Sequence, residues 1–154
     1  MERGKEDRLI KVSDVVVSWK QIQDPYTGYT DYVLGLDLIL EDKRVFSMVN
    51  IPSDVAEAIR VMKGEAQAPR RQSFFVLALF HESLKEALSQ HIEDVVIDEL
   101  DRATGLYSAS VRFTENGAVL TIKMIPSHAV FLALLSNKPI YVLEKLVEDS
   151  YVEP

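Results

Sequence analysis

Apolar residues alternate with polar ones along several stretches of the chain, which is the pattern of half-buried strands. The predicted strands are residues 9–19, 31–40, 44–50, 92–100, 107–114, 118–124 and 139–142. Residues 21–30 contain proline and glycine and predict a loop. Asn116-Gly117 predicts a tight hairpin, because both residues tolerate the positive φ angles that such a turn requires.

Apolar residues at helical spacing predict helices that alternate with these strands. The predicted helices are residues 53–63, 74–90 and 127–137, with a last turn or two at 143–149. Gly64 closes the first helix, because glycine commonly follows the last helical residue. This order of elements predicts an α+β fold with a mixed or antiparallel sheet of about six or seven strands and helices packed against it.

The tripeptide Ile-Pro-Ser occurs twice, at 51–53 and 125–127, an offset of 74 residues. The same offset pairs Glu41 with Glu115, so the predicted turn of the first copy aligns with that of the second. Each copy then contains a strand, a turn, a strand and a helix, which predicts a fold built from two strand-turn-strand-helix repeats. Proline ends the strand because it cannot donate to the ladder, and we expect Ser53 and Ser127 to cap their helices.

Composition predicts one acidic domain. The 154 residues are 47% hydrophobic and 27% charged, so we expect a single domain over 9–152 behind a charged tail at 1–8. Seventeen Lys+Arg against 24 Asp+Glu give a net charge of -7. This charge disfavours a protein that coats nucleic acid, but it is compatible with a local basic patch. The absence of cysteine excludes disulfides and thiolate zinc sites. With no targeting or membrane-spanning stretch, we expect a cytoplasmic protein.

The second half of the chain carries a family resemblance. Its motifs are Ile125-Pro126-Ser127-His128-Ala129, a helix to Leu135, the strand Lys138-Pro139-Ile140-Tyr141-Val142, and Leu146-Val147. In order and spacing they resemble the bifunctional nuclease domain family, and residues 51–77 follow the first helix, the Pro-Arg loop and the second helix of that family. The resemblance extends over about residues 11–152. It implies cleavage of DNA and RNA phosphodiester bonds, chemistry that normally needs acids to hold a divalent cation such as Mg²⁺ or Mn²⁺.

The chain departs from that family at three polar positions. Val55 stands where the family has a glutamate, Ser73-Phe74-Phe75 where it has Thr-His-Asp, and His128 where it has an aspartate. Two functions therefore stay open. One is a nuclease with a degenerate acidic site, and the other is a non-catalytic module of the same fold that binds a ligand or a protein.

The two helix starts are the predicted site. Asp54 and His128 are equivalent under the repeat, and helix N-termini carry partial positive charge that attracts phosphate. If the two starts face one another, they form an anion pocket in which Ser53 and Ser127 bind substrate. His128 and Asp54 are the candidate catalytic residues, with His128 as acid or base. The simpler alternatives are a helix-dipole role for Asp54 and, for His128, a neutral histidine at the surface or at an interface.

Arg70 and Arg71 are the densest basic patch and are candidates to bind phosphate, although a solvated loop also explains them. The carboxylates of Asp98, Glu99 and Asp101 could bind a hard cation. A polar strand end followed by a turn explains these three residues as well. The metal ligands therefore stay unassigned. The predicted partners are a second copy of the chain, joined through sheet edges or residues 74–80, and a nucleic acid or other anionic ligand.

Overall fold

The structure is a computed structural model that describes residues 8–65 and 73–152. Within these ranges the chain forms seven strands and five helices, which confirms the α+β class. The strands are β1 (Leu9–Gln23), β2 (Thr30–Leu40), β3 (Val45–Val49), β4 (Ile92–Asp101), β5 (Leu106–Glu115), β6 (Ala118–Met124) and β7 (Ile140–Leu143). The helices are α1 (Ser53–Met62), α2 (Ser73–Leu79), α3 (His81–Ser89), α4 (Pro126–Ser136) and α5 (Glu144–Val152).

The strands form one mixed sheet in the order β3-β2-β1-β7-β4-β5-β6. Neighbours are antiparallel except β4 and β7, which run parallel. The sheet therefore consists of two three-strand meanders joined by β7, and a helix follows each meander, α1 in the first half and α4 in the second. Whether the halves arose by duplication stays a prediction, which a superposition of residues 38–63 on 112–137 would test.

The sheet curls strongly, and β1 changes partners along its length. Residues Leu9–Lys11 pair with β7, whereas residues Val12–Gln23 pair with β2, with an irregularity between Val12 and Asp14. Phe46 on β3 meets Tyr107 on β5 with ring centroids 5.0 Å apart. Strands five places apart would be separated by about 24 Å in a flat sheet. The curl therefore brings β3, the outer strand of the first meander, against β5, the middle strand of the second.

Helices α1 and α4 pack against each other and against the inner face of the sheet. The interior between these layers is apolar, and its large fully buried side chains come from both halves. They include Leu36, Leu38, Phe46, Ile59, Ile97, Phe131 and Leu135. Among the described helices, none has the length and apolar character needed to cross a membrane.

Two predicted boundaries are wrong. The single helix expected at 74–90 is broken at Phe80 into α2 and α3. Helix α2 packs mainly against α1, with Phe74 also touching α4, whereas α3 packs against α4. The strand expected to end at residue 19 continues to Gln23, and β2 begins at Thr30. Mutual pairing of β1 and β2 therefore extends into much of the predicted loop, leaving only residues 24–29 as the turn.

Candidate functional site

The two Ile-Pro-Ser corners turn the chain from an outer strand into a helix. Helix α1 begins at Ser53 after Pro52, and α4 begins at Pro126 after Ile125. The prediction that both serines cap their helices is wrong, since neither helix has a side-chain cap. The serines already lie inside the first turn, because proline, whose fixed φ suits a helix start, takes the position before them.

The two helix starts differ in charge. The Asp54 carboxylate of α1 accepts a hydrogen bond from the Val55 amide at 2.8 Å. Helix α4 has His128 at the equivalent position and no acidic residue in its first turn. The first amides of a helix have no partner within it and carry partial positive charge. The Asp54 carboxylate therefore already lies at the start of α1, whereas the first turn of α4 contains no carboxylate.

A cleft of about 600 Å³ lies between the two corners, and we name it the corner cleft. Its walls are residues 47–52 from the first half and residues 104–108 and 125–127 from the second half. None of these lining residues carries a charged side chain. The curl of the sheet thus brings both Ile-Pro corners to one cleft lined by uncharged residues.

Ser127 is the unusual polar residue of this cleft. It is 1% exposed, and its Oγ has no hydrogen-bond partner among the described residues. Buried hydroxyls are normally paired, and an unpaired one costs about 1 to 3 kcal/mol. The equivalent Ser53 is exposed and does not line the cleft. The second corner therefore holds both the open helix start and an unused hydroxyl.

The predicted catalytic pair does not meet in the cleft. The His128 ring packs edge-on against Phe74, with centroids 5.5 Å apart, and neither Asp54 nor His128 lines the cleft. No hydrogen bond or ion pair joins the two in the part of the chain that the structure describes. Arg70 and Arg71 lie outside the described residues. The catalytic and binding roles of all four residues stay predictions.

The acidic side chains near residue 100 already have hydrogen-bond or ion-pair partners within the chain. Lys123 Nζ lies 2.9 Å from Asp98 and 3.4 Å from Glu99, and Asp101 accepts the Ala103 amide at 2.9 Å. Partial burial opposes the lysine charge, but the hydrogen bonds and charges of the two acids raise the pKa of Lys123 overall. Over residues 8–65 and 73–152, no three His, Asp or Glu side chains are grouped to hold a metal ion. The described residues therefore do not fit the divalent cation that the resemblance implies.

The sequence did not reveal a second polar surface, a depression of about 530 Å³ on the outer face of β4–β6. Asp94 is 7% exposed there, and both Nε (2.7 Å) and a terminal nitrogen of Arg112 donate to its carboxylate. This hydrogen-bonded carboxylate raises the pKa of Arg112. The charges of Asp94 and Arg112 compensate each other, so we interpret the pair as a structural ion pair. Its trace in the sequence is the acidic residues at Asp94 and Asp98, which fall on the same face of β4.

Comparison with known families gives one match. A family model described as "Bifunctional nuclease domain" matches residues 38–154. The matched region contains both corners and every residue of the corner cleft, but it excludes β1. None of the curated proteins matches the chain.

Proposed function

Because the chain belongs to the bifunctional nuclease domain family, we propose that it binds single-stranded nucleic acid, with one nucleotide in the corner cleft, and does not hydrolyse it. Membership of this family indicates a function related to nucleic acids. One observation supports the cleft as the binding site: the start of α4 has no acidic residue, and the buried hydroxyl of Ser127 in that first turn has no partner in the part of the chain that the structure describes.

The phosphate contact follows from the start of α4. The first amides and the positive end of a helix dipole attract a phosphate group, and Ser127 adds a hydroxyl for which the described residues provide no partner. The cleft contains no carboxylate that would repel the phosphate. At the start of α1, by contrast, Asp54 already occupies an amide and adds negative charge. We therefore assign the phosphate to the second corner alone.

The walls of the cleft suit a base. Tyr107 and the exposed side chains of Leu106 and Ile125 offer flat and apolar surface around an opening of about 600 Å³. Clefts of roughly 300 to 1,000 Å³ with apolar walls and few polar groups are typical of small-molecule sites. A base can use such walls only when it is unpaired, which favours a single strand over a duplex.

Metal-dependent hydrolysis is the second candidate, and the family description favours it. The described residues do not supply a group of acids and histidines for a metal, and Asp54 and His128 lie outside the cleft lining. The absence of a charged residue from the cleft also leaves no group there to activate water. These features support binding over hydrolysis.

Fluorescence anisotropy with a short fluorescein-labelled oligouridine tests the binding. We expect Ser127→Ala to weaken binding about tenfold, the scale of one lost hydrogen bond to a charged group. Ser53→Ala is the matched control and should bind as the parent chain does. Affinity should fall only shallowly with salt, because no lysine or arginine is found among the described residues that line the cleft. Equal binding by parent and Ser127→Ala, or tighter binding to duplex RNA, would exclude this site.

Cleavage is measured separately on the same labelled RNA and on single-stranded DNA, with Mg²⁺ or Mn²⁺ and without metal. We expect the strand to stay intact in every case. Metal-dependent cleavage that disappears in His128→Ala would instead assign hydrolysis to the helix starts and contradict our proposal of binding alone.

A further inference from the structure

The hairpin of β1 and β2 extends beyond the rest of the sheet. β7 pairs with β1 only at residues Leu9–Lys11, and β3 pairs with β2 only at residues Gly35–Ile39. Residues 19–23 and 30–34 therefore pair only with each other. We call residues 19–34 the arm. Its base is tied to the first corner, where the Ile51 amide donates to the Leu34 carbonyl at 3.1 Å.

One face of the arm continues the apolar inner face of the sheet into solvent. Trp19 lies opposite Leu34 and Gln21 opposite Tyr32, and these pairs are in register with the buried residues Val15 and Leu38 further along the ribbon. Yet Trp19 is 64% exposed and Tyr32 is 61% exposed. We define the arm face as Trp19, Gln21, Gln23, Thr30, Tyr32 and Leu34.

The arm is closed at its tip. Asp24 Oδ1 accepts the Tyr26 amide at 2.8 Å, and the Gly28 amide donates to the Asp24 carbonyl at 2.9 Å. Gly28 has φ +73°, a value that glycine adopts without strain. A two-stranded hairpin with exposed aromatic residues is marginal in water by itself. We therefore expect another protein surface to pack against the exposed face.

We propose that the arm face is a homodimer interface that packs against the arm face of a second copy across a twofold axis. No residue of this face is charged, although the whole chain has a charge of -7. The neighbouring charged residues Lys20 and Asp31 lie on the opposite face of the two-stranded ribbon. Lys20 Nζ also forms an ion pair with Asp37 Oδ2 at 2.8 Å. Two copies can therefore meet here without opposing like charges, as an isologous contact requires. A nucleic acid would find no cation on this face.

Two aromatic residues form the centre of the arm face. Trp19 and Tyr32 are both more than half exposed, and a full aromatic side chain buries about 150 to 250 Å². Together they offer on the order of 300 Å², less than half of the about 800 Å² per partner in a standard interface. The family match begins at residue 38. This surface is therefore a feature of this chain outside the matched region.

Sedimentation equilibrium of the full chain over a series of concentrations tests the dimer. We expect a species of twice 17.4 kDa at micromolar concentration. Tyr32→Ser should raise the dimer dissociation constant about 30-fold, as removal of a central aromatic residue does. Leu120→Ser, which removes an exposed apolar side chain from the opposite outer strand β6, is the matched control and should leave the constant unchanged.

Trp19 provides a second readout, because it is the single tryptophan of the chain. Its emission should shift to longer wavelength as the dimer is diluted, and Tyr32→Ser should show the shifted emission at higher concentration than the parent chain. Far-UV circular dichroism of each variant checks that it is folded. A monomer at every concentration, or a dimer that is lost in Leu120→Ser and kept in Tyr32→Ser, would overturn the proposal.

Discussion

Phe46 and Tyr107 meet edge to face, with their ring centroids 5.0 Å apart, and so join β3 of the first half to β5 of the second. Tyr107 also lines the corner cleft, while Phe46 is fully buried behind it. The shape of the cleft therefore depends on how the two halves pack. A change in this contact should alter both the stability of the fold and the candidate binding site.

We expect Phe46→Ala to lower the free energy of unfolding by about 3 to 5 kcal/mol, the usual cost of removing a buried aromatic ring. Urea denaturation followed by circular dichroism measures this loss. Tyr26→Ala, which truncates an aromatic residue that is 96% exposed, should change the value by less than about 0.5 kcal/mol. A loss below about 1 kcal/mol for Phe46→Ala would show that this contact does not hold the halves together.

Ser127→Ala should not lower the stability of the ligand-free chain and should raise it by up to about 1 kcal/mol. The reason is that the substitution removes a buried hydroxyl that has no partner over residues 8–65 and 73–152. Together with the weaker RNA binding expected above, this would identify a group kept at a cost to stability. Thermal unfolding of Ser127→Ala beside the exposed control Ser53→Ala provides the measurement. A marked loss of stability in Ser127→Ala alone would indicate a structural role instead.

Gly35→Ala should destabilise the base of the arm by about 1 kcal/mol, the scale of a small overpacking strain. A Cβ atom at Gly35 would lie 2.5 Å from Cγ of Lys20, whose side chain crosses this position to reach Asp37. In a Lys20→Ala background the obstacle is gone, so the same glycine substitution should be neutral or stabilising. A double-mutant cycle by urea denaturation tests the coupling, and equal effects in both backgrounds would contradict it.

The ion pair of Asp42 and Arg44 predicts a small pH dependence of stability. Hydrogen bonds from Arg44 lower the pKa of the Asp42 carboxyl, so the folded chain binds fewer protons there than the unfolded chain. This contribution is complete above about pH 5 and is lost as the pH falls through the lowered value. Because the pair is partly exposed, we expect only a few tenths of a kcal/mol.

Urea midpoints of the parent chain and Asp42→Asn, measured between pH 7 and pH 3, check this dependence. The parent chain should be the more stable of the two at pH 7, and the difference should shrink as the solution becomes acidic. A difference that is constant with pH would show that the carboxylate charge is not responsible.

The sequence patterns predicted most elements because local chemistry decides them. Alternation located the strands, and Asn116 and Gly117 do adopt positive φ in the predicted hairpin. The repeat also led us to look for the site between the two corners. The break at Phe80 was not predictable, since no glycine or proline marks it and the two segments differ in their main packing partner, α1 for α2 and α4 for α3.

The capping prediction was wrong for a related reason. The pattern Pro-Ser gives the position of a helix start only to within one residue, and that residue decides whether a serine oxygen reaches the first amides. The arm was missed because alternation becomes weak after Trp19, while the backbone pairing continues to Gln23. Cross-strand pairing of polar residues leaves little trace in a hydrophobicity pattern.

The central position of β7 also governs the order in which the sheet is completed during synthesis. β7 is the last strand to be made, yet it lies between β1 and β4, which do not pair with each other. A nascent chain that leaves the ribosome N-terminus first therefore holds two separate half-sheets until residue 143 emerges. Each half-sheet exposes an unpaired edge during that interval, and such edges invite association with other chains.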